Sequence, residues 1–364
     1  MDFLSSQWLL LKILDICGFF TFNVEKLSST RKKLFYNILM SVGGTIGAFT
    51  VAILYSQSSD EFLNDYSTVT STIHNSEMST NIINHLIIVF VTLFRIKELK
   101  EFFRKFKVLE GKIFRLKFSE MELEKYYIKN RSNIVYIVSI YTIYFGSLLL
   151  IYDTVLTIDE SLSHVLLSTM YMFFACYFTT ISLFLFYQVE ALCTFLSIVN
   201  KNLKCLVTSS SFFTEHRISE LFIIIFEIQD LINLWSKSFG LTAFGFFVFT
   251  FGVLSAEIYF SFATFYFSNI WQASDIYYLY NFCDIIWCLP VIGALSSIGF
   301  SCSNFYYELE ISSRILRKNS ENCDKHVKDS IEKFFIHFNR ADFYFTANEF
   351  FNLDGSILYK VTVL

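Results

Sequence analysis

Six apolar runs nearly free of charge punctuate the chain, at residues 34 to 56, 74 to 94, 132 to 152, 164 to 188, 239 to 267 and 280 to 302. About 20 apolar residues in a helix cross about 30 Å of hydrocarbon, so each run predicts a membrane-spanning helix. The second is the weakest. Asn81, Asn84 and His85 interrupt it, and only Leu86 to Phe94 is strongly apolar. A seventh apolar stretch starts near Gly355 and reaches Leu364, long enough for about half a crossing. The expected organisation is a cytoplasmic segment over 1–33, a six-span bundle with helical extensions over 34–302, a cytoplasmic anchor region over 303–354, and at 355–364 the start of a seventh span that is cut short.

The segments between runs read as helix too. The chain has a single proline, Pro290, and its long polar segments lack Gly/Ser-rich stretches. From Leu221 the apolar residues recur through Ile224, Ile228, Leu231 and Trp235, a heptad-like stripe. A second stripe runs through Ile331, Phe335, Phe338 and Phe345. Each stripe either packs on its own subunit or joins a cytoplasmic collar between subunits. The segment 95–131 mixes twelve bases with six acids, the pattern of a solvated helical face whose basic excess suits anionic headgroups.

Charge then orients the spans. All 29 Lys and Arg fall in alternate segments: five before residue 34, twelve from Arg95 to Arg131, four from Lys201 to Lys237, seven from Arg314 to Arg340, and Lys360. The three opposite loops hold nine acids and no base, among them Asp60, Asp159 and Asp275. Because Lys and Arg beside short loops stay cytoplasmic during insertion, the N-terminus is expected inside.

Composition agrees. With 54% apolar residues, 45 Phe, 21 Tyr and 17% charged residues, the chain departs far from soluble averages. The opening MDFLSSQWLLLKILDICGFF has neither a basic leader nor a small-residue cleavage site, and reads as an amphipathic inner segment lying against the membrane. Of eight cysteines only Cys283 lies near an outer loop, so no disulfide framework is expected. The sequon at Asn130 falls on the inner side.

Enzymatic chemistry is absent from the inventory. Six scattered His residues show no metal-ligand spacing, and there is no Cys-x-x-Cys, phosphate-binding Gly-rich loop or Gly-x-Ser-x-Gly elbow. No cofactor, metal or nucleic acid is expected. A rhodopsin-class G-protein-coupled receptor would place the N-terminus outside and carry Asn-Pro-x-x-Tyr, contrary to the basic count and the lone proline. A transporter would show paired half-repeats, and none is evident.

Polar groups inside the spans are the candidate contacts for a small molecule. Glu257 is the acid deepest in a span, in its outer half near Tyr259 and Tyr266; it serves function or is a protonated or hydrogen-bonded structural group. Tyr152 and Asp153 close the third span, His164 and Tyr171 begin the fourth, and Asp284 and Trp287 open the sixth. Residues at that depth are either interfacial anchors or the walls of an outward-opening pocket.

The stretch FYFTANEFFNLDGSILYKVTVL resembles the signature region of insect gustatory receptors: an Ala, two aromatics and Leu-Asp leading into the last span, here Ala347, Phe350, Phe351, Leu353 and Asp354. The motif covers about twenty residues, and the architecture resembles the family over nearly the whole chain. The resemblance implies an all-α, seven-transmembrane-helix chemoreceptor bundle in the plasma membrane of sensory neurons, with dendrite, axon and cell body expected. It implies a ligand-gated cation channel mediating taste, assembled as a homo- or hetero-tetramer with other gustatory receptors around a pore lined by the seventh helix. It further implies a small-molecule tastant bound in the outer half of the bundle, and a cytoplasmic anchor built from the inner ends of spans four to seven. The family's Thr-Tyr-x-x-x-x-x-Gln-Phe motif is missing, because the chain stops at Leu364. The related odorant receptors share the topology but usually carry a Tyr-Ser pair in the last span.

Overall fold

Ten helices are formed among the described residues: α1 (Phe3–Ser6), α2 (Trp8–Ile16), α3 (Arg31–Phe62), α4 (Thr68–Phe94), α5 (Ile96–Phe114), α6 (Ser119–Leu156), α7 (Leu162–Thr208), α8 (Glu215–Trp271), α9 (Asp275–Asn319) and α10 (Lys325–Arg340). The computed structural model describes residues 2–62, 68–116, 119–156, 162–208, 215–271, 275–319, 325–340 and 343–356. Among them β structure is confined to two isolated bridges, Asn23 with Ser28 and Thr346 with Asn352.

Each apolar run lies within one long helix, in the order α3, α4, α6, α7, α8 and α9. Among the described residues three stretches are long and apolar enough to cross a bilayer on their own: Cys176–Leu206, His216–Tyr259 and Cys288–Lys318. Ser79–Phe94 is a shorter apolar helix. The 57 residues of α8 extend about 85 Å at 1.5 Å per residue, far beyond a hydrocarbon core of about 30 Å. Its basic end therefore continues as helix well outside that layer.

Local chemistry sets the boundaries. Thr30 Oγ1 accepts the Lys33 N–H at 3.3 Å where α3 begins. Arg95, at φ −102° and ψ 28°, breaks the path between α4 and α5. Ser119 Oγ donates back to the carbonyls of Phe114 and Leu116, at 2.9 and 2.6 Å, where α5 gives way to α6. Pro290 lies inside α9 and cannot donate to the carbonyl of Ile286. Tyr144 of α6 supplies the missing donor, its hydroxyl donating to Ile286 O.

Helix α7 is the axis of the bundle, packed on α9 along much of its length and on α2, α3, α5, α6 and α8. On α3 the residues Phe35, Leu39, Val42, Ile46, Phe49 and Ile53 are all exposed at helical spacing, a continuous apolar stripe on one face. Such a face is stable against hydrocarbon and not against water.

Two polar segments differ from expectation. The 95–131 segment is divided between α5, which ends at Phe114, and α6, which begins at Ser119, and α5 lays Leu99, Phe102, Phe103, Phe106, Leu109 and Ile113 into the core. Its opposite face carries the charges, apart from Glu110, which is buried with the apolar residues. The N-terminal segment likewise reaches past any surface, since Phe3, Leu10, Leu14, Phe19, Phe20 and Phe22 are fully buried. Ring contacts then run from it across the bundle: Phe20 to Phe103 at 6.0 Å, Phe103 to Phe184 at 6.3 Å, Phe184 to Phe239 at 5.9 Å, and Phe239 to Trp235 at 6.0 Å. Trp235 meets Phe345 edge-on at 5.3 Å.

Candidate functional site

Residues 345–353 form a small hairpin. Leu353 N donates to Phe345 O at 2.8 Å, Ala347 N to Phe351 O at 2.9 Å, and Phe350 N to Ala347 O at 3.1 Å. Its tip, Asn348 and Glu349, has φ of 51° and 67°. Two consecutive left-handed residues are the geometry of a type I′ turn, which Asn accepts readily and Glu does not. The surroundings must therefore hold the turn.

They do so from α8, α9 and the α4–α5 break. The Tyr306 hydroxyl of α9 accepts from Phe345 N and donates to Leu353 O, both at 3.0 Å, bridging the two arms. Ser236 Oγ of α8 accepts from Thr346 N at 3.1 Å, and Ser303 Oγ of α9 from Gly355 N at 2.7 Å. Arg95, at the α4–α5 break, donates to Lys237 O and, at 3.3 Å, to Asn348 Oδ1. Two glycines allow backbone to meet backbone. A Cβ on Gly240 would lie 2.7 Å from Asn348 N, and one on Gly299 would lie 3.0 Å from Asp354 O.

This packing accounts for the signature residue by residue. Ala347 is fully buried, Leu353 is in the core, and Phe351 packs 4.8 Å from the Phe247 ring. Phe350 stacks on Phe244 at 4.6 Å while keeping 67% of its surface exposed. Asp354 accepts from Ser356 N at 2.9 Å, as an N-cap side chain does at the start of a helix. The seventh-span stretch beyond, 357–364, lies outside the described residues. Sequence reading singled out Ala347, Phe350, Phe351, Leu353 and Asp354 but not Arg95, Ser236, Gly240, Gly299, Ser303 and Tyr306, which hold them. The available signal was weak: glycines at 240 and 299 amid bulky helical neighbours.

Of the expected ligand contacts, Tyr152 and Asp153 lie on α6, His164 and Tyr171 on α7, and Asp284 and Trp287 on α9. Their side chains lie outside the described residues. Glu257 is 8% exposed on α8, and Tyr259 is half-buried two residues on. The polar residues that weaken α4 as a span are accommodated by glycines on its neighbours. A Cβ on Gly245 would lie 2.6 Å from Asn84 Oδ1, one on Gly252 2.7 Å from Thr80, and one on Gly44 2.8 Å from His85. His85 also meets Phe174 edge-on at 5.4 Å.

The two amphipathic stripes turn their apolar faces into their own chain. Leu221, Ile224, Ile228, Leu231, Trp235 and Ile331 are buried, while Phe335 and Phe338 are partly so. Phe334, one position off the expected stripe, stacks on Phe222 at 4.1 Å. Faces left outward include Ile223 and Ile336. In α5, Glu110 is a buried acid that accepts from Phe3 N at 2.8 Å and from the Tyr127 hydroxyl. Burial pushes its carboxyl above the ordinary range, against the opposing pull of those two donors. Among the described residues no three His, Cys, Asp or Glu converge as metal ligands.

The sequence profile of the 7tm Chemosensory receptor family matches residues 9–363. No curated protein matches the sequence. Among solved structures, the insect olfactory receptor OR5 from Machilis hrabei superposes with a TM-score of 0.69 at 11% identity, covering 99% of this chain and 95% of that one. The same receptor in complex with eugenol gives 0.63 at 11% identity, covering 100% and 97%. At such identity these likenesses speak for the fold. The profile spans nearly the whole chain, which belongs to the 7tm chemosensory receptor family of multi-pass membrane receptors.

Proposed function

We propose that this chain is a gustatory receptor subunit: a ligand-gated cation channel component of the sensory-neuron plasma membrane, opened by small tastants or contact cues. The observation that carries this reading is the signature hairpin, which ties the α4–α5 break, α8 and α9 to the segment leading into 357–364. In this reading the basic end is cytoplasmic, and a small molecule binds among the opposite halves of α6 to α9. Displacement of α8 and α9 then moves the hairpin, and the seventh helix with it. The acidic outer loops favour cations near the mouth. Subunits assemble as a homo- or hetero-tetramer with other gustatory receptors, the hairpin lying in its cytoplasmic anchor.

A second reading, an odorant receptor, is supported by the solved olfactory receptor whose complex holds eugenol. Recording from cells that express the chain with candidate co-subunits separates these readings, using a panel of sugars, bitter compounds and eugenol with G-protein turnover blocked. Current evoked by contact tastants under the block supports the first. Current evoked by eugenol alone supports the second, and responses abolished by the block remove the channel reading altogether.

A further inference from the structure

We propose that Arg95 is the positioning residue that couples α4 to the signature hairpin, so that displacement of α4 reaches residues 343–356 through its guanidinium, beside the direct α8 contacts of Ser236 and Gly240.

The two helices are keyed together along their length. Thr80 fills the groove over Gly252, at 2.7 Å from a Cβ placed there, and Asn84 Oδ1 does the same over Gly245 at 2.6 Å. A side chain seated on bare backbone leaves no slack, so a shift of one helix moves the other. From Thr80 to Arg95 the helix carries that shift about 22 Å. Arg95 itself is no loose connector. Its N–H donates to Val91 O and its carbonyl accepts from Leu99 N, both at 3.0 Å, so the hydrogen-bond ladder runs across the break.

The guanidinium then spans two partners with its two arms. Nη1 donates to Lys237 O of α8, and Nη2 to Asn348 Oδ1 at the hairpin tip. Gly240, one turn beyond Lys237, brings the hairpin backbone against α8 at the same level. A planar, two-armed donor meets both acceptors together, whereas a lysine offers one nitrogen at one point. The tip needs such a tether because Glu349 holds a left-handed conformation at a cost of about 1 kcal/mol or more. The consequence for gating rests on the channel reading above; the mechanical coupling does not.

The test is hydrogen exchange of the 343–356 peptide in the full-length chain, purified into lipid nanodiscs. Gly252→Ala wedges α4 from α8 at a distance from the hairpin. With Arg95 present it should speed hairpin exchange roughly fivefold, the effect of losing one hydrogen bond. In an Arg95→Gln background, where the hairpin already exchanges faster, the same wedge should add less than twofold. Arg95→Lys should behave like Arg95→Gln. Equal effects of Gly252→Ala in both backgrounds, no effect in either, or full retention of coupling by Lys each overturn the proposal. If Gly252→Ala does not fold, Thr80→Ile, which adds one carbon on the α4 side of the same contact, is the alternative wedge and is judged by the same criteria. Absence of ligand-evoked current from the unmutated chain alongside intact exchange coupling would sink the channel reading and leave the coupling standing; ligand-evoked current without exchange coupling sinks the coupling alone.

Discussion

Gly240→Ala should destabilise the protein although it replaces a helical glycine with the best helix former. The added methyl would stand 2.7 Å from both Asn348 N and Thr346 O, and 3.3 Å from Asn348 Cα. All three are backbone atoms and cannot rotate aside. To regain an ordinary contact of 3.4 Å the hairpin must retreat by the difference, about 0.7 Å. That retreat stretches the Asn348–Arg95 and Thr346–Ser236 hydrogen bonds, now 3.3 and 3.1 Å, past useful length. Each contributes about 1 kcal/mol net. Overpacking adds about 1–3 kcal/mol, and the gain in helix propensity offsets about 1 kcal/mol. The expected net loss is about 2–4 kcal/mol. Gly111→Ala on α5 is the control. Nothing lies within 4 Å of its Cβ position, so it should gain about 0.5–1 kcal/mol. Thermal unfolding in detergent, followed by the emission of Trp235 beside Phe345, compares the two. A Gly240→Ala protein as stable as Gly111→Ala would refute the close approach of hairpin and helix.

Tyr306→Phe removes the hydroxyl that serves both hairpin arms, and should cost about 2 kcal/mol through two orphaned backbone groups; unchanged protease sensitivity near residue 345 would contradict this. Tyr144→Phe strips the donor from Ile286 O at the Pro290 break and should cost about 1–3 kcal/mol, read as a lowered melting midpoint in nanodiscs that Tyr144→Trp does not restore. Phe3→Ala empties a fully buried site 4.3 Å from Phe106 and should cost about 3–5 kcal/mol; a loss under about 1 kcal/mol would return the N-terminal segment to a surface role. Glu110 has a raised folded pKa, so its contribution is complete below the unfolded value of about 4.3 and is lost as pH rises through the folded one. The global unfolding free energy should therefore increase on acidification from neutral pH, and Glu110→Gln should flatten that slope.

Two kinds of information were unequally legible. The Leu221 to Trp235 stripe is a local periodicity, and it lies buried as a stripe should. The stripe through Phe335 was read one position off, because Ile331, Phe334 and Phe338 fit helical spacing as well and only the partner ring of Phe222 selects among them. In 95–131 the abundance of charge hid an apolar face of six buried residues, since charge count averages over a helix while burial depends on its faces. The hairpin was not legible at all. Its turn lacks glycine, and the groups that hold it come from Arg95, Ser236 and Tyr306, up to 253 positions away.

By itself the sequence determined the class of the molecule: long apolar runs cannot remain in water, and a one-sided distribution of bases allows few ways of threading them through a bilayer. Those properties belong to composition and order along the chain. The tertiary structure alone decided which helix faces meet, which glycines receive Asn84, Thr80 and Asn348, and where the signature residues sit. Such contacts depend on the relative placement of distant segments at sub-ångström precision, and linear order does not carry that information.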